Sequence, residues 1–151
     1  YEWILYGPLY RRDRMKNTAK RIKKYKELKA DIVDIDIKLQ ELEEDMLGIT
    51  GAGLEERTGK TYKITSSVET QSEKHLDKKD KLLRLKASKE REIARIDNAL
   101  TILKEEERDI VETALIEQKK YGLLEIKYNR TYSRIKQIEV EAIKKMEKYL
   151  A

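Results

Sequence analysis

Apolar residues alternate three and four positions apart along the first half of the chain, with charged residues between them. From about Thr18 to Leu47 they form a single series: Tyr25, Leu28, Ile32, Ile35, Leu39, Leu42 and Met46. This spacing lines one stripe of a helix, as in a coiled-coil seam. A helix with only one narrow apolar stripe must bury it against another helix. The pattern therefore predicts a long helix whose partner lies later in this chain or in a second copy.

The two ends of this helix carry local signals. Asn17 or Thr18 is expected to cap its start, and the glycine-rich segment 48–61 is expected to end it. The sequence Gly59-Lys60-Thr61 is similar to the end of a phosphate-binding loop. However, five residues rather than four separate Gly53 from Gly59, and no apolar strand precedes the segment. We therefore interpret 48–61 as a flexible connector without nucleotide binding.

A second long helix is predicted from near Ser66 or Ser67 to Leu103. Its apolar positions are interrupted around Lys86 to Lys89 and comprise Leu82, Leu85, Ile93, Ile96, Leu100 and Leu103. The helix is long enough to fold back on the first as an antiparallel hairpin, or to extend a dimeric coiled coil. The periodicity leaves both arrangements open.

The last third of the chain predicts three shorter helices. Acidic residues at 105–107 favour a helix start, and this helix is expected to end near Lys119 or Lys120, with Gly122 in the turn that follows. Its buried face is predicted to contain Ile110, Val111, Ala114 and Leu115.

A short helix with Leu124 and Tyr128 on its inner side comes next. Asn129 tolerates the left-handed backbone of a turn, and the Thr131 hydroxyl is expected to cap the final helix. The inner stripe of that helix is predicted to comprise Ile135, Ile138, Ala142 and Met146. This layout is that of a helix-turn-helix, in which the final helix enters the DNA major groove.

Composition supports an all-α fold, because charged residues make up 42% of the chain, Pro occurs once and Phe is absent. Without Cys there is no disulfide or Cys-based zinc site. No apolar run approaches the length of a membrane span, and no signal peptide is recognisable. We expect a protein without a membrane partner, located in the cytoplasm of a bacterial host cell.

The net charge of +5 is unevenly distributed, with two basic ends flanking an acidic middle. Basic patches suit phosphate contacts, although solvated helix faces are also rich in Lys. At the start of the last helix, Gln, Lys and Ser side chains have the donors and acceptors that recognise base edges. The predicted DNA-binding residues are Lys127, Arg130 and Arg134 at phosphates, Tyr132, Ser133, Lys136 and Gln137 at base edges, and Thr131 at the cap.

The same segment resembles the fourth conserved region of bacterial sigma factors. The resemblance rests on Leu100-x-x-Leu103, Glu107-Arg108-x-Ile110-Val111, Thr131-x-x-Arg134-Ile135-Lys136-Gln137-Ile138-Glu139 and Ala142-Ile143-x-Lys145-Met146. Tyr132 and Ser133 stand where many sigma factors have the Arg and Glu that read their promoter element. The resemblance therefore implies promoter DNA binding at a different target sequence.

The chain as a whole resembles the phage and prophage transcriptional regulators of the ArpU/RinA type. A basic start, a heptad helix, a glycine-rich connector and a long helix leading into the sigma-like module carry this resemblance. It implies an activator of phage late or packaging genes that binds double-stranded DNA, with contact to host RNA polymerase as a further possibility. A homo-oligomer is expected, with a dimer favoured.

The expected organisation has three parts: an N-terminal extension at 1–14, a helical arm at 15–103 and a helix-turn-helix module at 104–151. Met15 resembles a natural start, so 1–14 is either an upstream extension or an aromatic docking segment. Two alternatives to a regulator remain: a small DNA-packaging (terminase-type) subunit, or a structural or adaptor coiled coil without DNA binding.

Enzymatic and cofactor chemistry are not expected, because no acid, base and nucleophile converge. His75 is the only histidine and is predicted to face solvent. The acids of the heptad helix lie on its polar faces, with no oxygen-rich loop to hold a metal ion. They are Asp31, Asp34, Asp36, Glu41, Glu43, Glu44 and Asp45.

Overall fold

Six α-helices form the part of the chain that the computed structural model describes, residues 8–52 and 62–150. Predictions about 1–7, about 53–61 of the connector, and about 151 lie outside the described residues. No β-strand occurs in 8–52 or 62–150. The helices are α1 (Pro8–Lys23), α2 (Tyr25–Ala52), α3 (Tyr62–Thr101), α4 (Glu105–Val111), α5 (Tyr121–Tyr128) and α6 (Tyr132–Leu150), and a π-helical turn (Glu112–Ile116) follows α4.

The all-α prediction is confirmed, and α2 and α3 form the hairpin rather than an extended coiled coil. The contacts between residues along the chain define two compact units, one comprising 1–29 with 91–151 and the other comprising 30–90. We call these the terminal unit and the hairpin unit. The expected organisation followed chain order, at 15–103 and 104–151, whereas the terminal unit combines residues from both of those ranges.

In the hairpin unit, α2 and α3 are antiparallel. Ion pairs join Asp31 to Lys89 at 2.8 Å, Asp36 to Lys86 at 2.6 Å and Glu43 to Lys79 at 3.6 Å, so residue numbers rise along α2 as they fall along α3. Partly exposed pairs of this kind each contribute less than about 1 kcal/mol. The main stabilisation comes from the seam residues of α2 in this unit, which are all buried or half-buried: Ile32, Ile35, Leu39, Leu42 and Met46. The first two seam residues, Tyr25 and Leu28, are half-buried and pack against the core of the terminal unit.

Two local predictions are wrong. Neither Asn17 nor Thr18 caps a helix, because both lie within α1, and the Thr18 hydroxyl donates to the Arg14 carbonyl at 3.0 Å. Leu85 is exposed rather than part of a buried α3 stripe. The segment 48–61 contains the end of α2, as predicted, although the helix continues through Gly48 to Ala52, since one Gly costs only about 1 kcal/mol in a helix.

The core of the terminal unit combines α1, the end of α3 and the C-terminal helices. Its larger cluster comprises Ile22, Ile96, Ala99, Leu100, Leu103, Val111, Leu115, Ile116, Ala142, Ile143, Met146 and Leu150. A smaller cluster comprises Ile110, Ala114, Leu124, Ile135 and Ile138, with Tyr121 and Tyr128 against it. The predicted inner faces of α4 and α6 are confirmed by this burial.

Polar contacts fix the helices around this core. Arg21 donates two hydrogen bonds to the Glu92 carboxylate, from Nε at 2.8 Å and from one terminal nitrogen at 2.9 Å. These bonds connect α1 to α3. The hydroxyl of Tyr25 donates to Asp97 at 2.8 Å, and burial together with this bond raises the pKa of Tyr25 to about 12. Arg108 donates to the carbonyl of Leu100 at 3.1 Å, which satisfies an acceptor at the end of α3. None of the described helices has an apolar stretch long enough to cross a membrane.

Ile22→Ala tests whether α1 belongs to the same core as the C-terminal helices. Ile22 is fully buried, so we expect the free energy of unfolding to fall by roughly 2–5 kcal/mol, measured by urea denaturation followed by circular dichroism. Ile126→Ala is the matched control, because Ile126 is 83% exposed on α5 and should lose less than about 0.5 kcal/mol. Equal stabilities of the two variants would contradict this core.

Candidate nucleic-acid interface

A tight turn joins α5 to α6. Asn129 adopts the left-handed conformation, with φ 49° and ψ 50°, and the N–H of Arg130 donates to the Glu125 carbonyl at 3.2 Å. The hydroxyl of Thr131 accepts the N–H of Arg134 at 3.4 Å. The predictions of a left-handed Asn129 and a capping Thr131 are therefore confirmed. Gly122, in contrast, lies within α5 and not in a turn, so that prediction is wrong.

The first turns of α6 present an exposed polar surface. Thr131, Tyr132, Ser133, Arg134 and Gln137 are all exposed. One terminal nitrogen of Arg134 donates to the side-chain oxygen of Gln137 at 3.3 Å. The opposite side of the helix is anchored by buried apolar residues, so this surface has a fixed position on the terminal unit.

Lys136, the remaining predicted base-contacting residue, is half-buried and held by an aromatic ring. Its ammonium donates to the Tyr121 hydroxyl at 2.9 Å and lies 4.4 Å from the centre of the same ring. The Tyr121 hydroxyl in turn donates to Glu139 at 2.7 Å. Burial lowers the pKa of Lys136, but the bond to Tyr121 and the charge of Glu139 outweigh this effect and raise it.

Tyr121 also fixes Tyr132. The two rings meet edge to face, with their centres 5.3 Å apart, a preferred aromatic geometry. Tyr121 and Glu139 were not among the predicted site residues. A signal for Glu139 was present, because it lies on the inner side of α6, four residues after Ile135, and a buried carboxylate requires a partner.

The two predicted phosphate-binding residues nearest the turn are paired with carboxylates of α4. Lys127 lies 2.7 Å from an oxygen of Asp109, and Arg130 lies 2.6 Å from an oxygen of Glu106. The Tyr128 hydroxyl also donates to Asp109. Hydrogen bonds from Lys127 and Tyr128 hold the pKa of Asp109 below its ordinary value of 3.8. Much of the positive charge predicted beside α6 is therefore neutralised within the protein.

No metal-binding cluster of three or more His, Cys, Asp or Glu residues occurs within the described ranges. His75 is half-buried, and its Nδ1 lies 2.7 Å from the Gln71 carbonyl one helical turn away. The exposed start of α6 and the α4 carboxylates beside it are thus the features best suited to a polar ligand.

Comparisons with known proteins found no relative of this chain. The chain matches no protein family, and neither the curated proteins nor the solved structures contain a significant match to it.

Asp109→Asn tests the carboxylate that holds Lys127 and Tyr128. Because the folded state lowers the pKa of Asp109, its charge contributes stability above about pH 4, and this contribution is lost as the pH falls through the folded pKa. We expect the variant to be less stable than wild type by about 1 kcal/mol at pH 7, with a smaller difference at pH 3, measured by urea denaturation. The exposed Glu141, changed to Gln, is the control. A difference independent of pH would contradict this role.

Proposed function

We propose that this protein is a sequence-specific, double-stranded DNA-binding transcriptional regulator that inserts the start of α6 into the major groove. The observation that carries the proposal is the left-handed turn at Asn129 and the cap at Thr131, followed in the first turns of α6 by exposed Tyr132, Ser133 and Gln137. A recognition helix needs an exposed N-terminal polar face on a buried support. Gln at such a position can pair with adenine through two hydrogen bonds.

The phosphate contacts would involve an exchange of anions. In the free protein Lys127 and Arg130 are held by Asp109 and Glu106, and a DNA phosphate would have to replace these carboxylates. Arg134 is better suited to direct contact, because it is exposed and its guanidinium donates to the neutral side chain of Gln137. We therefore assign to Arg134 the main contribution to sequence-independent binding of the DNA backbone.

As a regulator, the protein would resemble the ArpU/RinA-type activators of phage late or packaging genes, with contact to host RNA polymerase. A dimer would offer two recognition helices to half-sites spaced by whole turns of DNA. A terminase-type packaging subunit would use the same α6 surface, but it would assemble into a ring of many copies. Light scattering in the presence of DNA distinguishes the two assemblies.

A structural or adaptor protein is the second candidate, favoured by the pairing of Lys127 and Arg130 with acids. If these cations serve only the fold, the start of α6 is a solvated surface, and DNA is not retained at moderate salt.

Gln137→Ala is expected to relax sequence preference. Loss of the Gln137 side chain would remove about 1–3 kcal/mol of discrimination between the correct and the wrong base at one base pair. The measurement selects preferred duplexes from a random library and titrates them by fluorescence anisotropy. Glu141→Ala is the control, because Glu141 is exposed one turn further along α6 and should leave the preference unchanged. An identical preference for wild type and Gln137→Ala would argue against base reading by this helix.

Arg134→Ala is expected to weaken binding to all duplexes about equally and to reduce the salt slope by about one. Lys127→Ala should have a smaller effect, because Asp109 already neutralises this cation, whereas Asp109→Asn should tighten binding by removing an anion. Titrations at several salt concentrations measure these effects, with Lys144→Ala as a control later in α6. If wild type is not retained on selected or genomic DNA at moderate salt, the adaptor candidate replaces the regulator.

A further inference from the structure

The C-terminal half of α1 presents a row of positive charge to solvent. Residues 14–26 include seven Lys or Arg and no acid. Lys16, Lys20 and Lys23 are all exposed, and their spacing of four and three residues places them on one stripe of the helix. The other side of the helix is held by Ile22, which is fully buried in the core of the terminal unit. The row therefore has a fixed position on this unit.

Acids of α3 approach α1, but they bind other side chains. Glu92 accepts two hydrogen bonds from Arg21, at 2.8 and 2.9 Å, and Asp97 accepts one from the Tyr25 hydroxyl at 2.8 Å. Within 8–52 and 62–150, no carboxylate lies within 4.0 Å of an ammonium group of the row. The row thus differs from the cations beside the α5–α6 turn, which are paired with acids of α4.

Two exposed acids flank the row in sequence. Asp13 lies on the same side of α1, seven residues or about 10 Å before Lys20, and Glu27 lies in α2, four residues after Lys23. Neither acid is paired with a lysine of the row. They limit its length to about two helical turns.

The loop between the π turn and α5 adds a further cation to the row. Gln118 has a left-handed backbone, with φ 53°, and its side chain donates to the Lys23 carbonyl at 3.5 Å. The Lys119 ammonium lies 2.7 Å from a Glu117 carboxylate oxygen, whereas Lys120 is exposed and has no such pair among the described residues. We call the unpaired cations of this region the basic surface: Lys16, Lys20, Lys23 and Lys120.

The basic surface adjoins the start of α6. Lys120 immediately precedes Tyr121, whose ring meets that of Tyr132 edge to face, with the ring centres 5.3 Å apart. All of these residues belong to the terminal unit. Since phosphate backbones form both walls of a DNA groove, a duplex that receives the start of α6 would have a backbone near Lys120 and the end of α1.

We propose that the basic surface binds the phosphate backbone of the duplex whose major groove receives α6. The duplex is the ligand of the proposed function, on which this inference rests. Exposed lysines neutralise phosphates and release their counterions whatever the base sequence. The basic surface would thus supply the long-range attraction that the paired cations beside the turn lack, and it would add contacts outside the helix-turn-helix.

An anionic membrane suits this surface less well. A helix that lies on a membrane buries an apolar face in it. In the C-terminal half of α1 such residues are already used by the core, because Ile22 is fully buried and Ala19 packs against the same cluster. The exposed stripe offers charge without an apolar face, which favours a hydrophilic polyanion.

Lys20→Gln combined with Lys23→Gln, in the full chain, tests the basic surface. Loss of two phosphate contacts should reduce the salt slope of duplex binding by about two and weaken binding roughly tenfold or more at about 0.1 M salt. The preference for base sequence should not change, because backbone contacts carry no sequence information. Fluorescence anisotropy titrations of a selected and a random duplex at several salt concentrations measure both quantities.

Two further double variants serve as controls. Lys20→Arg combined with Lys23→Arg preserves the charge and should bind DNA as wild type does. Lys78→Gln combined with Lys81→Gln removes two exposed lysines of the same spacing from α3 of the hairpin unit. This variant matches the change in net charge and should leave the salt slope unchanged. Circular dichroism checks that all variants keep their helicity.

The outcomes distinguish the basic surface from base reading by α6. A wild-type preference that depends on Gln137, with a salt slope that Lys20→Gln and Lys23→Gln leave unchanged, would overturn the basic surface alone. A reduced slope with a preference that Gln137→Ala leaves unchanged would support the basic surface and contradict base reading. Wild type that is not retained on DNA would overturn both.

Two other results would also overturn the basic surface. One is an equal loss of slope in the Lys78→Gln, Lys81→Gln control, which would reduce the effect to net charge. The other is stronger retention on vesicles of phosphatidylserine and phosphatidylcholine than on duplex DNA at equal phosphate concentration.

The position of the surface on the duplex is tested by directed cleavage. Because the chain has no Cys, Lys20→Cys provides a single attachment point for an iron chelate that cuts nearby DNA backbone. We expect cuts close to the base pair whose recognition depends on Gln137, and none from Lys78→Cys labelled in the same way. Absent or evenly distributed cuts from labelled Lys20→Cys on the selected duplex would overturn the proposed contact.

Discussion

Burial of α4 and its π turn on two sides is the constraint on which the terminal unit depends. Ile110 and Ala114 pack into the smaller cluster, while Val111 and Leu115 pack into the larger one. A π turn is wider than an α turn, and here Ala114, Leu115 and Ile116 are all buried in succession. Because α6 contacts both clusters, its orientation depends on this one short segment.

The local features of the fold could be predicted from the sequence where neighbouring residues determine them. The seam of α2 followed from the heptad spacing, since a narrow apolar stripe must be buried whatever covers it. Asn129 and Thr131 were predictable because the left-handed turn and the cap involve backbone groups only a few residues away. Periodicity alone did not distinguish a hairpin from an extended dimer, because both bury the same stripe.

Features that depend on distant residues could not be predicted in this way. The pairing of Lys127 with Asp109 and of Arg130 with Glu106 arises only once α4 and α5 are packed together. Tyr121 was not among the predicted site residues, yet as the first residue of α5 it contacts both Lys136 and Tyr132 of α6. Thr18 was misassigned because a capping preference of about 1 kcal/mol yields to the continuity of the helix that contains it.

The carboxylates of α4 act as built-in counterions for the basic residues beside the turn. A surface neutralised in this way attracts polyanions only weakly at long range, since the fields of Lys127 and Arg130 are largely cancelled by Asp109 and Glu106. A ligand gains these two cations only if its shape allows it to take the place of both acids at contact distance. The arrangement therefore weakens general electrostatic attraction and makes binding depend on a close geometric fit of the ligand.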